Sequence, residues 1–267
     1  MGTTATTAID PIWPLCNVAK KFGIWVPVDA AYAGSACICP DFCNSIDGIE
    51  EVDSFCFNGR RWFFTNLLCC CLWIKDPSDL TKSLSTNPTY WRNKISDSKK
   101  AIDYKDWQIT LSKKFNALKL WMVLRSYGIG NLRSFLRNHV KMAKIFEELV
   151  KMDNRLEIFV PGTFSIVCFR LKPSAVAKVK SYSNGTKAHQ NGKLASEDFV
   201  NQVNNKLLDL INGSGNVYMT HTVVAGSFVL RCAIGSTLTE EKHVIMMWEM
   251  EQEKANSILG KPKIALS

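Results

Sequence analysis

The sequence predicts an α/β fold followed by a smaller α+β domain. Residues 15–22 have the pattern of a helix, and they lead into an apolar run at residues 23–28 that stops at Asp29. A second apolar run covers residues 67–74 and ends before a proline-containing turn. Because helices that alternate with apolar runs are typical of a parallel sheet covered by helices, both runs are expected to be buried strands.

The rest of the chain alternates less regularly and predicts the second domain. Helical periodicity runs through residues 118–152 and is interrupted at Gly128 and Gly130, which predicts two helices. Residues 173–196 are rich in Ser, Lys, Asn and Gly and are expected to form a mobile loop. The other expected elements are a strand at 164–171, a helix at 198–211, strands at 217–222 and 228–234, and a last helix that is opened by residues 237–241, has Thr239 as its N-cap and carries residues 244–259.

Composition limits the possible function classes. The 267 residues are 46% hydrophobic and 21% charged with a net charge of +9, but Lys and Arg are spread along the chain, which argues against nucleic-acid binding. No apolar run is long enough for a membrane span, and the segment MGTTATTAID lacks the features of a secretory leader, so we expect a cytoplasmic protein with reduced cysteines. The cysteine clusters lack zinc-ligand spacing, and no metal is expected.

Asp29 is the first candidate for chemistry. It ends an apolar run and is followed by small residues that leave room for a flat ligand. In an open α/β sheet, the carboxyl ends of the strands form the ligand crevice. A buried carboxylate needs a partner, and a protonated pyridine nitrogen is one partner among several; a helix cap or a salt bridge is the alternative.

Six segments together resemble the plant tyrosine and tryptophan decarboxylases, which are group II pyridoxal-phosphate decarboxylases of the aspartate aminotransferase fold. They are VDAAYAGSACICP at 28–40, DSF at 53–55, NGRRWF at 58–63, LSTNP at 84–88, DYKDWQI at 103–109 and LTEEKHV at 238–244. The resemblance covers nearly the whole chain except 173–196, but only the C-terminal half of the family. It implies that residues 1–134 are part of the cofactor-binding large domain without its N-terminal half, and that residues 135–267 are the small C-terminal domain. It further implies pyridoxal 5'-phosphate as cofactor and a homodimer.

The resemblance also implies roles for single residues. Asp29 would pair with the pyridine nitrogen of the cofactor, Ala31 would pack against its ring, and Thr4 would lie near it. Asn58 would help to hold the phosphate end. Arg60 stands where the family has histidine.

Arg61 stands where the family has the lysine that forms the Schiff base with the cofactor. A guanidinium stays protonated and delocalised, so it should form no such bond. The pair of arginines could still hold the phosphate by charge, which leaves noncovalent cofactor binding possible. Pro27 and Leu68 also depart from the histidine and aspartate usual in the family. Decarboxylase activity is therefore expected to be impaired.

Two residues bear on the substrate by the same resemblance. Tyr90 matches the tyrosine of the mobile catalytic loop that protonates the carbanion, which points to the decarboxylase branch rather than the aldehyde-forming one. Ser112 stands where serine accompanies tyrosine-type substrates, because a hydroxyl can bind a phenol and crowds an indole. The expected substrate is tyrosine or dopa.

Other residues leave alternatives open. Arg231 either reaches the substrate carboxylate or forms a structural ion pair. His139 and His243 are expected to pack or lie on the surface rather than bind a ligand, and Trp62, Trp73 and Trp121 are expected in the core.

Three functions remain in competition. The first is an impaired aromatic L-amino acid decarboxylase, and the second is a catalytically inactive truncated homologue that acts as a dimerisation partner. The third is an independently folded binding module. If residues of the family's N-terminal half are missing, apolar surface should be exposed and the isolated chain should be poorly stable.

Overall fold

The computed structural model describes residues 1–66, 69–85, 104–109, 115–177 and 195–260. Contacts divide the chain into two units, Met1 with Ile9–Arg133 and Gly2–Ala8 with Ser134–Ser267. Residues 2–8 are predicted to belong to the first domain, but hydrogen bonds tie them to the second unit: Thr163 N donates to Thr7 Oγ1 at 3.2 Å, and Cys168 Sγ donates to the Ala5 carbonyl at 3.4 Å. No helix within the described ranges has the length and apolar character needed to cross a membrane.

The first unit contains a three-stranded sheet of mixed direction. Strand β1 pairs in parallel with β2, and β2 pairs antiparallel with β3. The α-helices and strands are α1 (Ile12–Lys21), β1 (Pro27–Asp29), β2 (Ser54–Asn58), α2 (Gly59–Trp62), β3 (Cys70–Ile74), α3 (Pro77–Leu84), α4 (Asn116–Tyr127) and the beginning of α5 (Ile129–Met152). Short 3-10 helices occupy Ala33–Ile38, Pro40–Ile46, Ile49–Glu51 and Tyr104–Trp107.

The predicted burial of the two apolar runs is wrong in this unit. Strand β1 takes only the end of the first run, and β3 is an edge strand whose Leu72 and Trp73 are 53% and 55% exposed. β3 lies at the edge of the described sheet and is paired on one side only. Trp73 instead stacks on Phe57 of the neighbouring strand, with ring centroids 5.5 Å apart.

Large apolar side chains are also exposed on two helices of this unit. They are Trp13, Leu15 and Val18 on α1 and Leu118, Trp121 and Met122 on α4. Exposed apolar surface is predicted from the sequence, but the predicted position of Trp121 in the core is wrong. Trp62 alone of the three tryptophans assigned to the core is buried, at 2% exposure.

The second unit is an α+β domain, as predicted. Its sheet has the strand order β4-β5-β7-β6, and every pair in it is antiparallel. The elements that follow α5 are β4 (Leu156–Val160), β5 (Ile166–Leu171), α6 (Pro173–Val176), α7 (Glu197–Asn212), β6 (Thr220–Val224), β7 (Ser227–Ala233) and α8 (Glu241–Leu259). The core lies between the sheet and α5, α7 and α8, where the ring centroids of Phe146 and Phe169 are 5.3 Å apart.

Three details of the chain from α4 onward differ from the predictions. Strand β4 was not expected at all, and Gly130 lies inside α5 although Gly128 does separate it from α4. The N-cap of α8 is Glu240 rather than Thr239, because the Glu240 carboxylate and the His243 ring form a reciprocal capping box. Residues 178–194, most of the predicted loop, lie outside the described residues.

A polar cluster ties the turn before β4 to α8. The guanidinium of Arg155 binds Asp153 at 2.7 Å, Gln252 at 2.6 Å and Asn256 at 2.6 Å. Gln252 Nε2 also donates to Asp153 and, at 2.8 Å, to Glu251, whose side chain is fully buried. The cluster thus fixes α8 against the start of the sheet.

Replacing Arg155 with alanine is expected to lower the free energy of unfolding by ~3 kcal/mol, because it leaves the half-buried Asp153 without its counter-charge. The matched control is Lys242→Ala, since Lys242 forms an exposed pair with Glu240. That control should cost ~0.5 kcal/mol. Urea unfolding of the wild type and the two variants measures both values. Equal losses of unfolding free energy in the two variants would contradict the structural role of Arg155.

Candidate functional site

Asp29 is the last residue of β1, and its carboxylate is held by one oxygen. Oδ1 accepts the backbone N–H of Ala31 at 2.8 Å and the thiol of Cys56 at 3.8 Å. Oδ2 has no hydrogen-bond donor among the described residues. The side chain is exposed rather than buried as predicted, because no described element covers this face of the sheet. One carboxylate oxygen is thus oriented and the other is available to a donor.

The turn after Asp29 connects it to Asn58. The Ala30 N–H donates to the Cys56 carbonyl at 2.8 Å, and the Asn58 N–H to the Ala31 carbonyl at 3.4 Å. A Cβ at Gly34 would lie 2.5 Å from Phe57 Cβ, so only glycine fits there. The structure therefore brings three predicted site residues, Asp29, Ala31 and Asn58, to one end of the β1–β2 pair.

Asn58 begins the short helix α2, which carries both arginines. Its side chain caps the helix by accepting the Arg60 N–H at 3.0 Å. A Cβ at Gly59 would lie 2.9 Å from Thr65 Oγ1, so the backbone turns closely there. Arg60 and Arg61 are exposed, and neither guanidinium has a hydrogen bond or ion pair with another described residue. Two adjacent positive charges that no described carboxylate neutralises suit an anionic ligand.

Thr4 belongs to the second unit. It is exposed in a turn that Thr3 stabilises, since Thr3 Oγ1 accepts the Ala8 N–H at 3.1 Å and Thr7 adopts a positive φ of 61°. Asp29, Ala31, Asn58, Arg60 and Arg61 belong to the first unit. The position of Thr4 near the cofactor stays a prediction. Tyr90 and Ser112 lie outside the described residues, and so does Leu68.

Arg231 has none of the ion pairs that the structural alternative requires, as far as the described residues show. Nη1 donates to Thr220 Oγ1 at 3.2 Å, and the buried Nε has no partner there. Its register partner on β5 is Cys168, whose thiol binds the Ala5 carbonyl. Arg231 therefore lies beside β5, the strand that binds the turn at residues 3–8. Its guanidinium keeps N–H donors that no other described residue uses.

The two histidines have the packing roles that were expected. His139 is buried on α5 with its ring centroid 4.0 Å from that of Phe135, and burial lowers its pKa to about 4. Such a histidine stays neutral at physiological pH. His243 caps α8 through its Nδ1, which accepts the Glu240 N–H at 3.0 Å.

Sequence reasoning missed Cys56. The cysteine is 27 positions from Asp29, and only the parallel register of β1 and β2 places the two side chains on one face. Alternation along residues 54–58 could have indicated that Cys56 faces away from Phe55 and Phe57, but not which strand it adjoins.

Comparison with known proteins supplies the context of this site. Residues 1–172 match the model of the pyridoxal-dependent decarboxylase conserved domain. Tyrosine/DOPA decarboxylase 5 of Papaver somniferum is 59% identical over 260 residues, which are 97% of this chain and 49% of that protein. Phenylacetaldehyde synthase of a Rosa hybrid cultivar has the same identity and the same coverage of both chains.

A solved structure extends the similarity to the fold. The crystal structure of Catharanthus roseus tryptophan decarboxylase in complex with L-tryptophan is 50% identical, with a TM-score of 0.81, over 97% of this chain and 50% of that chain. The α/β fold of the aspartate aminotransferase type and the resemblance to plant decarboxylases are thereby confirmed. The chain spans about half the length of the curated relatives it matches. It belongs to the pyridoxal-dependent decarboxylase family.

Proposed function

We propose that this chain is part of an aromatic L-amino acid decarboxylase that converts tyrosine or dopa to the amine and carbon dioxide, with activity impaired by Arg61. The observation that carries the proposal is Asp29, whose carboxylate has one oxygen held by Ala31 and Cys56 and the other available. Similarity to tyrosine/DOPA decarboxylases supports the substrate class.

The described residues fit pyridoxal 5'-phosphate at two places and not at a third. Oδ2 of Asp29 can accept a hydrogen bond from a protonated pyridine nitrogen, and the Arg60–Arg61 pair can bind a phosphate by charge. When bound, the cofactor supplies an electron sink for the bond to the leaving carboxylate. The misfit is the covalent anchor, because a guanidinium does not add to an aldehyde. Binding is therefore noncovalent in this proposal.

The remaining predicted residues would contact either the cofactor or the substrate. Ala31 would present a methyl group to the flat ring of the cofactor, and Asn58 would help to hold its phosphate. Arg231 belongs to the second unit, and its role towards the carboxylate of the amino acid stays a prediction. By the resemblance, Ser112 would favour a phenol over an indole, and Tyr90 would donate a proton to the substrate carbon that has lost carbon dioxide.

Asp29→Asn tests the cofactor site. An amide cannot hold a proton on the pyridine nitrogen, so the dissociation constant of pyridoxal 5'-phosphate, measured by equilibrium dialysis, should rise ~10-fold or more. The matched control is Asp10→Asn, at an exposed carboxylate in the same unit, and it should leave the constant within ~2-fold. Equal binding by Asp29→Asn and the wild type would overturn the assignment of Asp29.

A second candidate function is supported by Arg61 and by the exposed apolar side chains of α1 and α4. In this alternative the chain is catalytically inactive and pairs with a full-length decarboxylase subunit. Size-exclusion chromatography of the chain mixed with a full-length tyrosine/DOPA decarboxylase tests it. Co-elution in one complex supports this alternative, and separate elution contradicts it.

A further inference from the structure

The thiol of Cys56 is the only described side chain that donates a hydrogen bond to Asp29, at 3.8 Å from Oδ1. The two residues are register partners in the parallel pair β1–β2, so their side chains project from the same face of the sheet. Together with the Ala31 N–H, the thiol occupies Oδ1 and leaves Oδ2 without a described donor.

Burial raises the pKa of the Cys56 thiol, and the negative charge of Asp29 and the neighbouring Cys70 raise it further. The thiol therefore keeps its proton at neutral pH, and it is the protonated form that can donate to a carboxylate. Cys56 is half-buried, so reagents in solution can reach it.

We infer that Cys56 is a positioning residue, which fixes the rotation of the Asp29 carboxyl and presents Oδ2 to the pyridine nitrogen of the cofactor. The inference rests on the proposed function of Asp29 and extends it to a residue outside the predicted site. A group attached to the Cys56 sulfur removes the donor and adds bulk beside the carboxylate. Chemical modification of Cys56 therefore weakens cofactor binding.

The contact is first tested without any cofactor. Asp29→Asn removes the negative charge that raises the pKa of the Cys56 thiol, so more of this cysteine is present as thiolate at pH 8. The thiolate sulfur displaces iodide from iodoacetamide, and this reaction should therefore be faster in the variant. Alkylation of Cys56, resolved by mass spectrometry, should accelerate ~3-fold or more. Cys43 is the internal control, because it is exposed and its hydrogen bonds are to the carbonyls of Cys37 and Cys39. An unchanged rate at Cys56 would overturn the inference and leave the proposed function standing.

The consequence for the cofactor is tested with three variants. Cys56→Ala should weaken binding of pyridoxal 5'-phosphate ~3- to 10-fold, whereas Cys56→Ser keeps a donor and should stay within ~2-fold of the wild type. Cys43→Ala should also stay within ~2-fold. Unchanged affinity in Cys56→Ala contradicts the inference alone. Absence of binding by the wild type contradicts the proposed function, and the positioning role falls with it.

Discussion

Replacing Arg61 with lysine is expected to give the chain a covalent bond to pyridoxal 5'-phosphate that the wild type lacks. A lysine amine that loses its proton offers a lone pair to the aldehyde carbon, whereas a guanidinium stays protonated and delocalised. After reduction with borohydride, the mass of the variant should increase by one reduced cofactor, and the wild type should keep its mass. If the remaining machinery is intact, release of carbon dioxide from tyrosine should rise ~100-fold or more.

The neighbouring arginine provides a matched control for this experiment. Arg60→Lys makes the same chemical change one position earlier on the same short helix, where both side chains are exposed. It should gain no covalent cofactor. The double variant Arg60→His/Arg61→Lys recreates the pair typical of the family and should be at least as active as Arg61→Lys.

The outcomes separate the two candidate functions. Covalent attachment with release of carbon dioxide supports the impaired decarboxylase. Attachment without release supports the inactive partner, because the chain spans about half the length of its relatives. A reducible bond in the wild type, at any lysine, would contradict the account of Arg61.

The parts of the fold that could be predicted are those with a strong local signal. The helix expected at 198–211 is observed at Glu197–Asn212, and the strand expected at 164–171 at Ile166–Leu171. Strand β4 was missed because its five residues depend on pairing with β5, which no local pattern encodes. The prediction that β3 is buried was wrong for a related reason, because the sequence shows an apolar run but not whether the strand lies at the edge of a sheet.

The candidate site divides in the same way. Asp29 could be identified because it is a carboxylate at the end of an apolar strand. The position of Arg61 at the Schiff-base lysine could be recognised only from the resemblance to the family. The contact between Asp29 and Cys56 could not be predicted, since it depends on the register of two strands far apart in sequence. The burial of Glu251 could not be predicted either, because helix α8 has several charged residues and the sequence does not show which of them faces the cluster around Arg155.

Glu251→Gln is expected to stabilise the protein at pH 8 and to flatten its dependence on pH. The carboxylate is fully buried, Oε2 accepts Gln252 Nε2, and Oε1 has no partner among the described residues. Burial raises the pKa of Glu251 to about 8, and the charge of Asp153 adds to this. The folded chain therefore keeps a proton that the unfolded chain, with a glutamate pKa of ~4.3, has already released at neutral pH.

The sign of the pH effect follows from this difference in bound protons. Between pH ~4.3 and about 8 the unfolded state binds fewer protons than the folded state, so stability falls as pH rises. Glutamine cannot ionise and has nearly the same shape, so its advantage over the wild type should be ~1 to 3 kcal/mol at pH 8 and should shrink towards pH 4.5. Urea unfolding followed by circular dichroism at several pH values measures this difference in unfolding free energy.

Glu249→Gln, at an exposed position of the same helix, is the control, and its unfolding free energy should stay within ~0.5 kcal/mol of the wild type. An advantage of Glu251→Gln that does not change with pH would mean that packing, and not the buried charge, limits stability at this position.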